Sequence, residues 1–400
     1  MAVHRCRFRC ACTILPPDIL RRIALRGTAS QREAALATLA TDQTLRLSRA
    51  TQQLLEQGGR RAPLAMPAFA KLRTIYDAEH RETLPGRVVR AEGARPGKDV
   101  AVNEAYDGLG ATFDFFATVY DRDSIDDAGM HLDATVHYGR QYDNAFWNGR
   151  QMVFGDGDGE LFNRFTVSLD VIGHELTHGV TGDEAKLVYL GQAGALNESI
   201  SDVFGSLVKQ YALGQTAAEA DWLIGAGLFT SRVNGVALRS MKAPGTAFDD
   251  RVLGRDSQPA TMSGYVHTTM DNGGVHTNSG IPNHAFYLAA MALGGHAWEQ
   301  AGRIWYETLR DRRLRQTSTF RQFAALTAQN AAQLFGAAER QAVVAAWKEV
   351  GIDAGGARST PAGKSAGRRA AGGAQEQQGR RAAASAGKPA SRRGAPGFPR

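Results

Sequence analysis

Residues 168–182 of the chain read SLDVIGHELTHGVTG. The apolar spacing of this stretch predicts a helix over residues 168–180. His174 and His178 are four residues apart, so they lie on one face of such a helix, and Glu175 is one step along from the first of them. Two histidines at this spacing, with a carboxylate beside them, are typical of a helix that offers two imidazole ligands to a metal ion.

The histidine pair alone is a moderate signal, because it arises by chance in roughly one chain of this composition in a hundred. A catalytic zinc ion usually takes three protein ligands and leaves its fourth position to water. Glu198, in GALNESISD at residues 194–202, follows His178 by twenty residues on a separate amphipathic helix. We therefore predict that Glu198 is the third ligand. The pattern with three histidines is absent, because Thr181 and Glu184 stand where its Gly and its last His would be.

Two polar residues lie beside this third ligand in the sequence. Imidazoles that bind zinc normally donate their second ring nitrogen to a carboxylate or carbonyl oxygen. Asn197 and Asp202 are on the same predicted helix as Glu198, and we predict that they orient the rings of His174 and His178.

The positive charge of the chain is concentrated at one end. The formal net charge is +7, but residues 353–400 alone carry ten Lys or Arg against two acids. The rest is close to neutral, so no basic groove and no specific nucleic-acid partner are predicted. Small residues, Arg and Pro dominate this tail, which predicts disorder. Adhesion to nucleic acid or a membrane is the alternative, but Phe398 is its single aromatic residue.

The amino terminus carries the cysteines and no obvious export signal. Cys6, Cys10 and Cys12 are the three cysteines, so no disulfide framework spans the body of the protein. The apolar run at residues 11–15 is too short for a signal-peptide core and ends at Pro16. No apolar stretch reaches the roughly 20 residues that cross a bilayer, so no membrane span is predicted.

Composition divides the chain into four predicted regions. Residues 1–60 have helical spacing and end in a Gly-rich linker, which predicts a short helical propeptide. Residues 61–190 predict a β-rich region with one helix at 102–119 and the helix of the two histidines at its end. Residues 191–352 predict a helical region, so the expected fold class is α+β, followed by the tail. The other predicted helices are 193–213, 281–293, 296–311, 319–333 and 337–348.

Three spaced motifs together resemble the thermolysin-like neutral metalloproteases. They are HELTHGVTG at residues 174–182, GALNESISDVFG at 194–205 and DNGGVHTNSGIPNHAFY at 271–287. The similarity runs from about Asn103 to Gly351. The resemblance implies a β-rich amino-terminal domain and a helical carboxy-terminal domain, with the zinc site in the cleft between them.

The same resemblance implies a zinc-dependent endopeptidase with one catalytic Zn²⁺. Glu175 would be the general base that takes a proton from the water at zinc and passes it to the leaving amine. Tyr189 and His276 would stabilise the tetrahedral oxyanion, and Asp271 would orient His276.

The resemblance also implies a set of substrate-binding residues. Asn144 and Ala145 would hold the substrate backbone, and Arg239 would contact a substrate carbonyl. A large hydrophobic residue would be preferred after the cut bond, because the pocket that receives it would be apolar. The predicted lining of this pocket is Phe162, Phe165, Val171 and Leu238.

One departure from the family concerns calcium. Relatives that calcium stabilises carry a cluster of carboxylates near the helix of the third zinc ligand, and Asp170 and Asp221 are retained here. Lys209, Leu223 and Ala226 replace the others. Calcium takes six to eight oxygen ligands, so we predict that the paired calcium site is absent and that Lys209 supplies the positive charge.

The amino-terminal segment is also distinctive. ILPPDILRRIA at residues 14–24 resembles the short-propeptide, protealysin-like branch of the family. In that branch the Pro-Pro motif lies in the substrate cleft, so Pro16 and Pro17 would block the site until a cut within residues 45–70. Whether Cys12 binds zinc as a thiolate in the precursor, or is an inert thiol, stays open.

Other classes of function fit the residues less well. An aminopeptidase of the wider zinc group would need a Gly-x-Met-Glu-Asn segment, which is absent. A binding module that had lost catalysis would be expected to have changed Glu175 or His276, and both are present. The expected partners are protein or peptide substrates and the chain's own propeptide, acting within a monomer. The resemblance implies secretion, while the missing Sec-type signal leaves cytoplasmic retention or non-standard export open.

Overall fold

The computed structural model describes residues 12–55 and 69–355, and of residues 12 and 46–55 it describes the backbone alone. Several predictions lie outside this range: those on Cys6 and Cys10, on the thiol of Cys12, on most of the linker and on the tail after residue 355. The described residues belong to one compact unit.

A six-stranded sheet forms the first half of the molecule. Its strand order is β1-β5-β6-β4-β2-β3, with β4 parallel to both of its neighbours and the other pairs antiparallel. The strands are β1 (Cys12–Thr13), β2 (Arg73–Asp77), β3 (Arg87–Ala91), β4 (Leu132–Val136), β5 (Ala145–Trp147) and β6 (Gln151–Phe154).

The amino-terminal segment adds an edge strand to this sheet. β1 pairs antiparallel with β5, so that Cys12 lies opposite Trp147 and Thr13 opposite Phe146. Sequence patterns did not predict β1 or β5, because two or three residues are too few to show an alternation of apolar and polar side chains.

Two helices follow β1 directly. They are α1 (Pro17–Arg26) and α2 (Ala29–Leu55). Pro17 occupies the first turn of α1, where a proline lacks no hydrogen bond that the helix needs. Ile19, Leu20 and Ile23 form the buried face of α1. The predicted helical character of this segment is therefore confirmed.

Helix α3 (Val100–Tyr120) packs on the sheet and is tied to it by a histidine. Asp99 caps the helix by accepting hydrogen bonds from two backbone N–H groups of its first turn. The other oxygen of Asp99 lies 2.9 Å from His137 Nε2, and His137 Nδ1 lies 2.9 Å from Asp156. These contacts, with Asp156 first, raise the pKa of His137 to about 9 against the effect of burial.

The second half of the molecule is helical, as predicted. Its helices are α4 (Leu169–Asp183), α5 (Gly191–Leu213), α6 (Asp271–Asn278), α7 (Gly280–Leu293), α8 (Ala301–Arg310), α9 (Phe320–Leu334) and α10 (Ala337–Glu349). Four short strands form two ribbons: β7 (Leu223–Ile224) with β8 (Arg239–Ser240), and β9 (Asp249–Asp250) with β10 (Gly254–Arg255). The expected α+β fold is confirmed, and one predicted boundary is wrong, because α8 begins at Ala301 rather than at 296.

Helices α4 and α5 cross closely enough for side chains of both to meet. A Cβ atom at Gly205 would lie 2.3 Å from the Asp170 carbonyl oxygen and 2.9 Å from the His174 nitrogen. A glycine is therefore required where α5 passes over α4. The predicted division at residue 190 falls at the start of α5 and stays a prediction. No helix among residues 12–55 and 69–355 is long and apolar enough to cross a membrane.

Candidate active site

Three buried side chains from α4 and α5 converge on one point. His174 Nε2 and His178 Nε2 are 3.1 Å apart. The two Glu198 oxygens lie 3.5 Å from these nitrogens, Oε2 from His174 and Oε1 from His178. Ligand atoms about 2.0–2.2 Å from a tetrahedral zinc ion are separated by roughly 3.3–3.6 Å, so the three groups are spaced to share one such ion.

The hydrogen bonds of the two imidazoles leave the Nε2 atom of each ring facing the point of convergence. His174 Nδ1 lies 2.8 Å from Asp202 Oδ1, and His178 Nδ1 lies 2.8 Å from Asn197 Oδ1 and 3.0 Å from Ser201 Oγ. Carboxylate and amide oxygens only accept hydrogen bonds, so each Nδ1 carries a hydrogen, and in the neutral tautomer Nε2 is the atom that presents a lone pair. Burial lowers the pKa of His178 to about 4, so its ring is neutral near pH 7. A zinc ion at the point of convergence would accept a lone pair from each Nε2 atom.

Asp202 contacts both a predicted zinc ligand, His174, and the predicted substrate-binding residue Arg239. Arg239 donates two hydrogen bonds to its carboxylate, Nε to Oδ2 at 2.9 Å and Nη2 to Oδ1 at 2.8 Å. Asn283 Nδ2 donates a third to Oδ2 at 2.8 Å. Burial would raise the pKa of Asp202, but Arg239 and His174 hold it well below its usual range. The carboxylate is therefore ionised, and its two oxygens accept hydrogen bonds from three different side chains.

The predicted general base lies between the zinc helix and the sheet. Glu175 is fully buried, and its Oε2 accepts a hydrogen bond of 2.9 Å from the backbone N–H of Trp147 in β5. This N–H of β5 thus fixes the direction of the carboxylate next to His174. The sequence placed Glu175 on the helix but contained no signal for this backbone contact.

The predicted oxyanion donors lie on the opposite wall. Asp271 accepts hydrogen bonds from His276 Nδ1 at 2.9 Å and from the His276 backbone N–H at 3.0 Å. Burial lowers the pKa of His276, but the Asp271 and Glu198 carboxylates outweigh it and raise the pKa to about 9. Tyr189 donates to Glu198 Oε1, and its hydroxyl lies 3.2 Å from His276 Nε2. His276 and Tyr189 thus face the ligand cluster together.

The amino-terminal segment fills the cleft beside these groups. The Ile14 N–H donates to the Ala145 carbonyl oxygen at 3.2 Å, and the Leu15 N–H donates to Asn144 Oδ1 at 3.0 Å. Both contacts extend the antiparallel pairing of β1 with β5. The predicted substrate-binding residues Asn144 and Ala145 therefore bind a peptide backbone in this structure.

The carbonyl groups of the same segment also have partners. His276 Nε2 lies 3.0 Å from the Thr13 carbonyl oxygen, and Arg239 Nη1 donates to the Ile14 carbonyl oxygen at 3.0 Å. The peptide bond between Thr13 and Ile14 therefore has a predicted oxyanion donor on one side and a predicted substrate-binding arginine on the other.

The side chain of Ile14 is fully buried in the apolar core. The four predicted pocket residues are members of the same core cluster, and none is more than 2% exposed. They are Phe162, Phe165, Val171 and Leu238.

Pro16 and Pro17 stand one step further along the chain. Pro16 precedes α1 as its N-cap, and Pro17 is the first residue of that helix. The hydrogen bonds to Asn144, Ala145, Arg239 and His276 come from residues 13–15. The inhibitory role of the two prolines stays a prediction.

Two residues with contacts in the site were not predicted. Ser201 lies on the same face of α5 as Asn197 and Glu198, so its helical spacing was an available signal. Asn283 comes from α7, and no local pattern indicates that this helix approaches Asp202.

A half-buried lysine lies between the two retained acidic residues Asp170 and Asp221. Lys209 Nζ lies 2.7 Å from Asp170 and 2.9 Å from Asp221, and it donates to the Leu223 carbonyl oxygen at 2.8 Å. Burial would lower the pKa of Lys209, but Asp170 and Asp221 raise it, so the ammonium is charged at neutral pH.

Two histidines and a glutamate on facing helices, with a carboxylate base beside them, define a zinc metallopeptidase. A model of the thermolysin metallopeptidase catalytic domain matches residues 38–182, and a model of the alpha-helical domain matches residues 185–352. The chain belongs to the thermolysin family of metallopeptidases.

Individual relatives agree with this assignment. An extracellular metalloprotease of Pectobacterium carotovorum is 54% identical over 342 residues, which are 86% of this chain and 96% of the relative. Protease PrtS of a Photorhabdus strain is 49% identical over 341 residues, 85% of this chain and 91% of the relative. The solved precursor of protealysin, a metalloproteinase from Serratia proteamaculans, is 54% identical with a TM-score of 0.79 and covers 86% of this chain and 100% of its own. The predicted family and its protealysin-like branch are confirmed.

Proposed function

We propose that the chain is an endopeptidase, made as an autoinhibited precursor, that cuts proteins before large hydrophobic residues. The observation that carries this proposal is the position of residues 13–15 in the cleft. Their backbone makes hydrogen bonds to four groups that were predicted, independently of the propeptide, to bind or polarise a substrate.

The chemistry follows from the groups around the Thr13–Ile14 bond. Zinc, held by His174, His178 and Glu198, would polarise the scissile carbonyl and make the attacking water more acidic. Glu175 takes the proton of that water and passes it to the leaving amine. His276, charged near neutral pH, and Tyr189 donate hydrogen bonds to the oxygen on which negative charge develops.

The preference for a hydrophobic residue after the cut rests on Ile14. Ile14 supplies the nitrogen of the Thr13–Ile14 bond, so it lies on the leaving-amine side. Its own carbonyl oxygen is bound by Arg239. Full burial of an aliphatic side chain stabilises binding by about 1.5–3 kcal/mol, whereas a charged side chain in the same place would be desolvated without a partner.

Residues 1–60 act as the inhibitor in this proposal, because the segment in the cleft leaves no room for a second peptide on β5. We propose further that the enzyme works outside the cell. Two relatives, from Pectobacterium carotovorum and Serratia marcescens, are named extracellular proteases. The division into catalytic subdomains at residues 61–190 and 191–352, the basic tail at 353–400 and the monomeric state are parts of the same proposal.

Replacing Ile14 by Asp is expected to activate the precursor. A carboxylate does not fit an apolar, fully buried site, so the segment should leave the cleft more often. We expect the uncut I14D precursor to hydrolyse a short quenched peptide with Leu after the cut bond at least about tenfold faster than the wild-type precursor. Intact mass before and after each assay verifies that the propeptide is still attached.

The matched control is Leu25→Asp, on the exposed side of α1, where the side chain is 79% exposed. It adds the same charge to the same segment without entering the cleft and should leave the precursor as inactive as the wild type. Equal activity of the I14D and wild-type precursors would contradict the proposed inhibition.

Calcium is not expected to stabilise this enzyme, because the Lys209 ammonium lies between Asp170 and Asp221 and would repel a calcium ion there. The Tm should be unchanged by added calcium and should fall when zinc is removed, since bound zinc at about 100 times its Kd stabilises by about 2.7 kcal/mol. Scanning calorimetry with and without each ion tests this. A clear rise of Tm with calcium would refute this prediction.

Replacing Lys209 by Met leaves Asp170 buried without its cation. The K209M variant should therefore lose about 3–5 kcal/mol of stability.

A further inference from the structure

Helix α2 presents a stripe of polar residues to the sheet next to the cleft. Thr38, Thr41 and Asp42 are spaced by three residues and one residue, which puts them on one face of the helix. Thr38, Thr41 and Asp42 are buried. Hydrogen bonds in a buried polar network strengthen one another, so the loss of one bond in this stripe weakens the bonds beside it.

Asp42 makes the contacts in this stripe that bear on the cleft. Asn144 Nδ2 donates to Asp42 Oδ2 at 2.9 Å, and the Tyr142 hydroxyl donates to Asp42 Oδ1 at 2.6 Å. Asp42 is 2% exposed, Tyr142 3% and Asn144 0%. A carboxylate from the propeptide thus lies behind the carboxamide whose other end binds Leu15.

The two ends of the Asn144 carboxamide have opposite hydrogen-bonding roles. Its nitrogen donates, and its oxygen accepts from the Leu15 N–H and from its own neighbour, the Ala145 N–H, each at 3.0 Å. Asp42 accepts but does not donate when ionised, so it admits only the orientation in which Nδ2 points toward α2. In that orientation Oδ1 points into the cleft, where it binds the inhibitory segment.

We propose that Asp42 is a positioning residue for autoinhibition: it fixes the Asn144 carboxamide so that Asn144 holds residues 13–15 in the cleft. This rests on the proposed function and adds a second element to it, on α2, beyond the strand in the cleft. It implies that Asn144 loses its Nδ2 partner when α2 is released, and that the amide group then becomes available to a carbonyl oxygen of a substrate.

Replacing Asp42 by Asn tests this, because Asn has the same shape but offers one acceptor and one donor. Two donors, Tyr142 and Asn144, then face a group that can accept from only one side of its amide. Asn144 either loses its bond or flips and turns its NH₂ toward the Leu15 N–H, and both outcomes loosen the cleft segment.

The matched control is Thr41→Val, one residue away on the same face. Thr41 Oγ1 donates to Glu82 Oε1 at 3.1 Å and is not in contact with Asn144. Both variants remove a hydrogen bond that α2 makes with residues after position 80, a part-buried one for Thr41 and a buried one for Asp42. T41V therefore reports the effect of weaker docking of the helix. Only D42N disturbs the carboxamide in the cleft.

Hydrogen exchange of the zinc-loaded precursor is the measurement, carried out in a Glu175→Gln background that prevents self-cutting. We expect the amides of Ile14 and Leu15 to exchange at least about tenfold faster in D42N, while the amides of α2 keep their protection. T41V should leave the Ile14 and Leu15 amides within about threefold of the parent. This readout does not require activity, so it distinguishes failure of this proposal from failure of the proposed proteolysis.

Unchanged protection of Ile14 and Leu15 in D42N would overturn the proposal. Equal loss of protection in α2 and in the cleft segment, in both D42N and T41V, would overturn it as well, because that result describes simple undocking of the helix. Should D42N fail to fold, Asp42→Ala is the second variant: it removes both acceptor oxygens without adding a donor and carries the same expectation.

Discussion

Replacing Glu175 by Gln is expected to lower peptide hydrolysis by about 10²–10⁴-fold and to leave zinc bound. Gln cannot take a proton from water, but its amide oxygen can still accept the hydrogen bond from the Trp147 N–H that orients the native carboxylate. The three metal ligands are untouched. Intact mass over time should show a precursor that stays uncut, and metal analysis should show one zinc ion per chain.

The control for a lost negative charge is Glu219→Gln, at an exposed carboxylate that caps a turn at Thr216. It should process and cut like the wild type. Self-processing of E175Q at an ordinary rate would remove Glu175 from its role, whereas loss of zinc from E175Q would mean that the residue supports the metal rather than the water.

The metal cluster could be predicted from the sequence because each ligand lies on a helix with clear spacing. His174 and His178 share a helix face at four-residue spacing, and Glu198 comes from the next helix along the chain. Local periodicity is therefore sufficient to bring ligands from neighbouring helices together once the helices are known to pack. Asn197 and Asp202 follow from the same argument, because they share the face of α5 that bears Glu198.

The rest of the site depends on contacts between distant parts of the chain. Asn283 reaches Asp202 across 81 residues, and Asp42 reaches Asn144 across 102. The short strands β1 and β5 cannot be recognised from sequence patterns, yet their pairing decides which peptide bond lies beside His276. Such pairings are specified by the packing of the whole fold rather than by any local repeat, which is why the prediction named the prolines at 16 and 17 while residues 13–15 make the contacts in the cleft.

The contacts of Asp202 combine two functions in one buried carboxylate. It holds the ring of His174 toward the metal, and it holds the guanidinium of Arg239 toward the Ile14 carbonyl. Since both partners share Oδ1, a shift of this oxygen moves the ligand and the substrate contact together. Asn283 restrains the other oxygen, so α7 also contributes to this alignment.

Replacing Asp202 by Asn is therefore expected to lower zinc affinity by about 10–100-fold. Asn has one acceptor oxygen and an NH₂ group, so Arg239 faces a donor in either orientation of the amide, and the His174 Nδ1–H also does so when the NH₂ group replaces Oδ1. Competition with a chelator of known affinity measures the zinc affinity of each variant without any substrate. Asp311→Asn is the matched control, because Asp311 holds Arg313 in a similar pair but makes no contact with the metal site.

A second variant separates the two functions of Asp202. Arg239→Lys retains a positive charge beside Asp202 but loses the paired geometry and the donor to the Ile14 carbonyl. It should raise KM for a peptide substrate by about tenfold or more while changing zinc affinity less than D202N does. If D202N held zinc as tightly as the wild type, the His174 ring would be fixed by the packing of α4 and α5 alone, and Asp202 would serve Arg239 and not the metal.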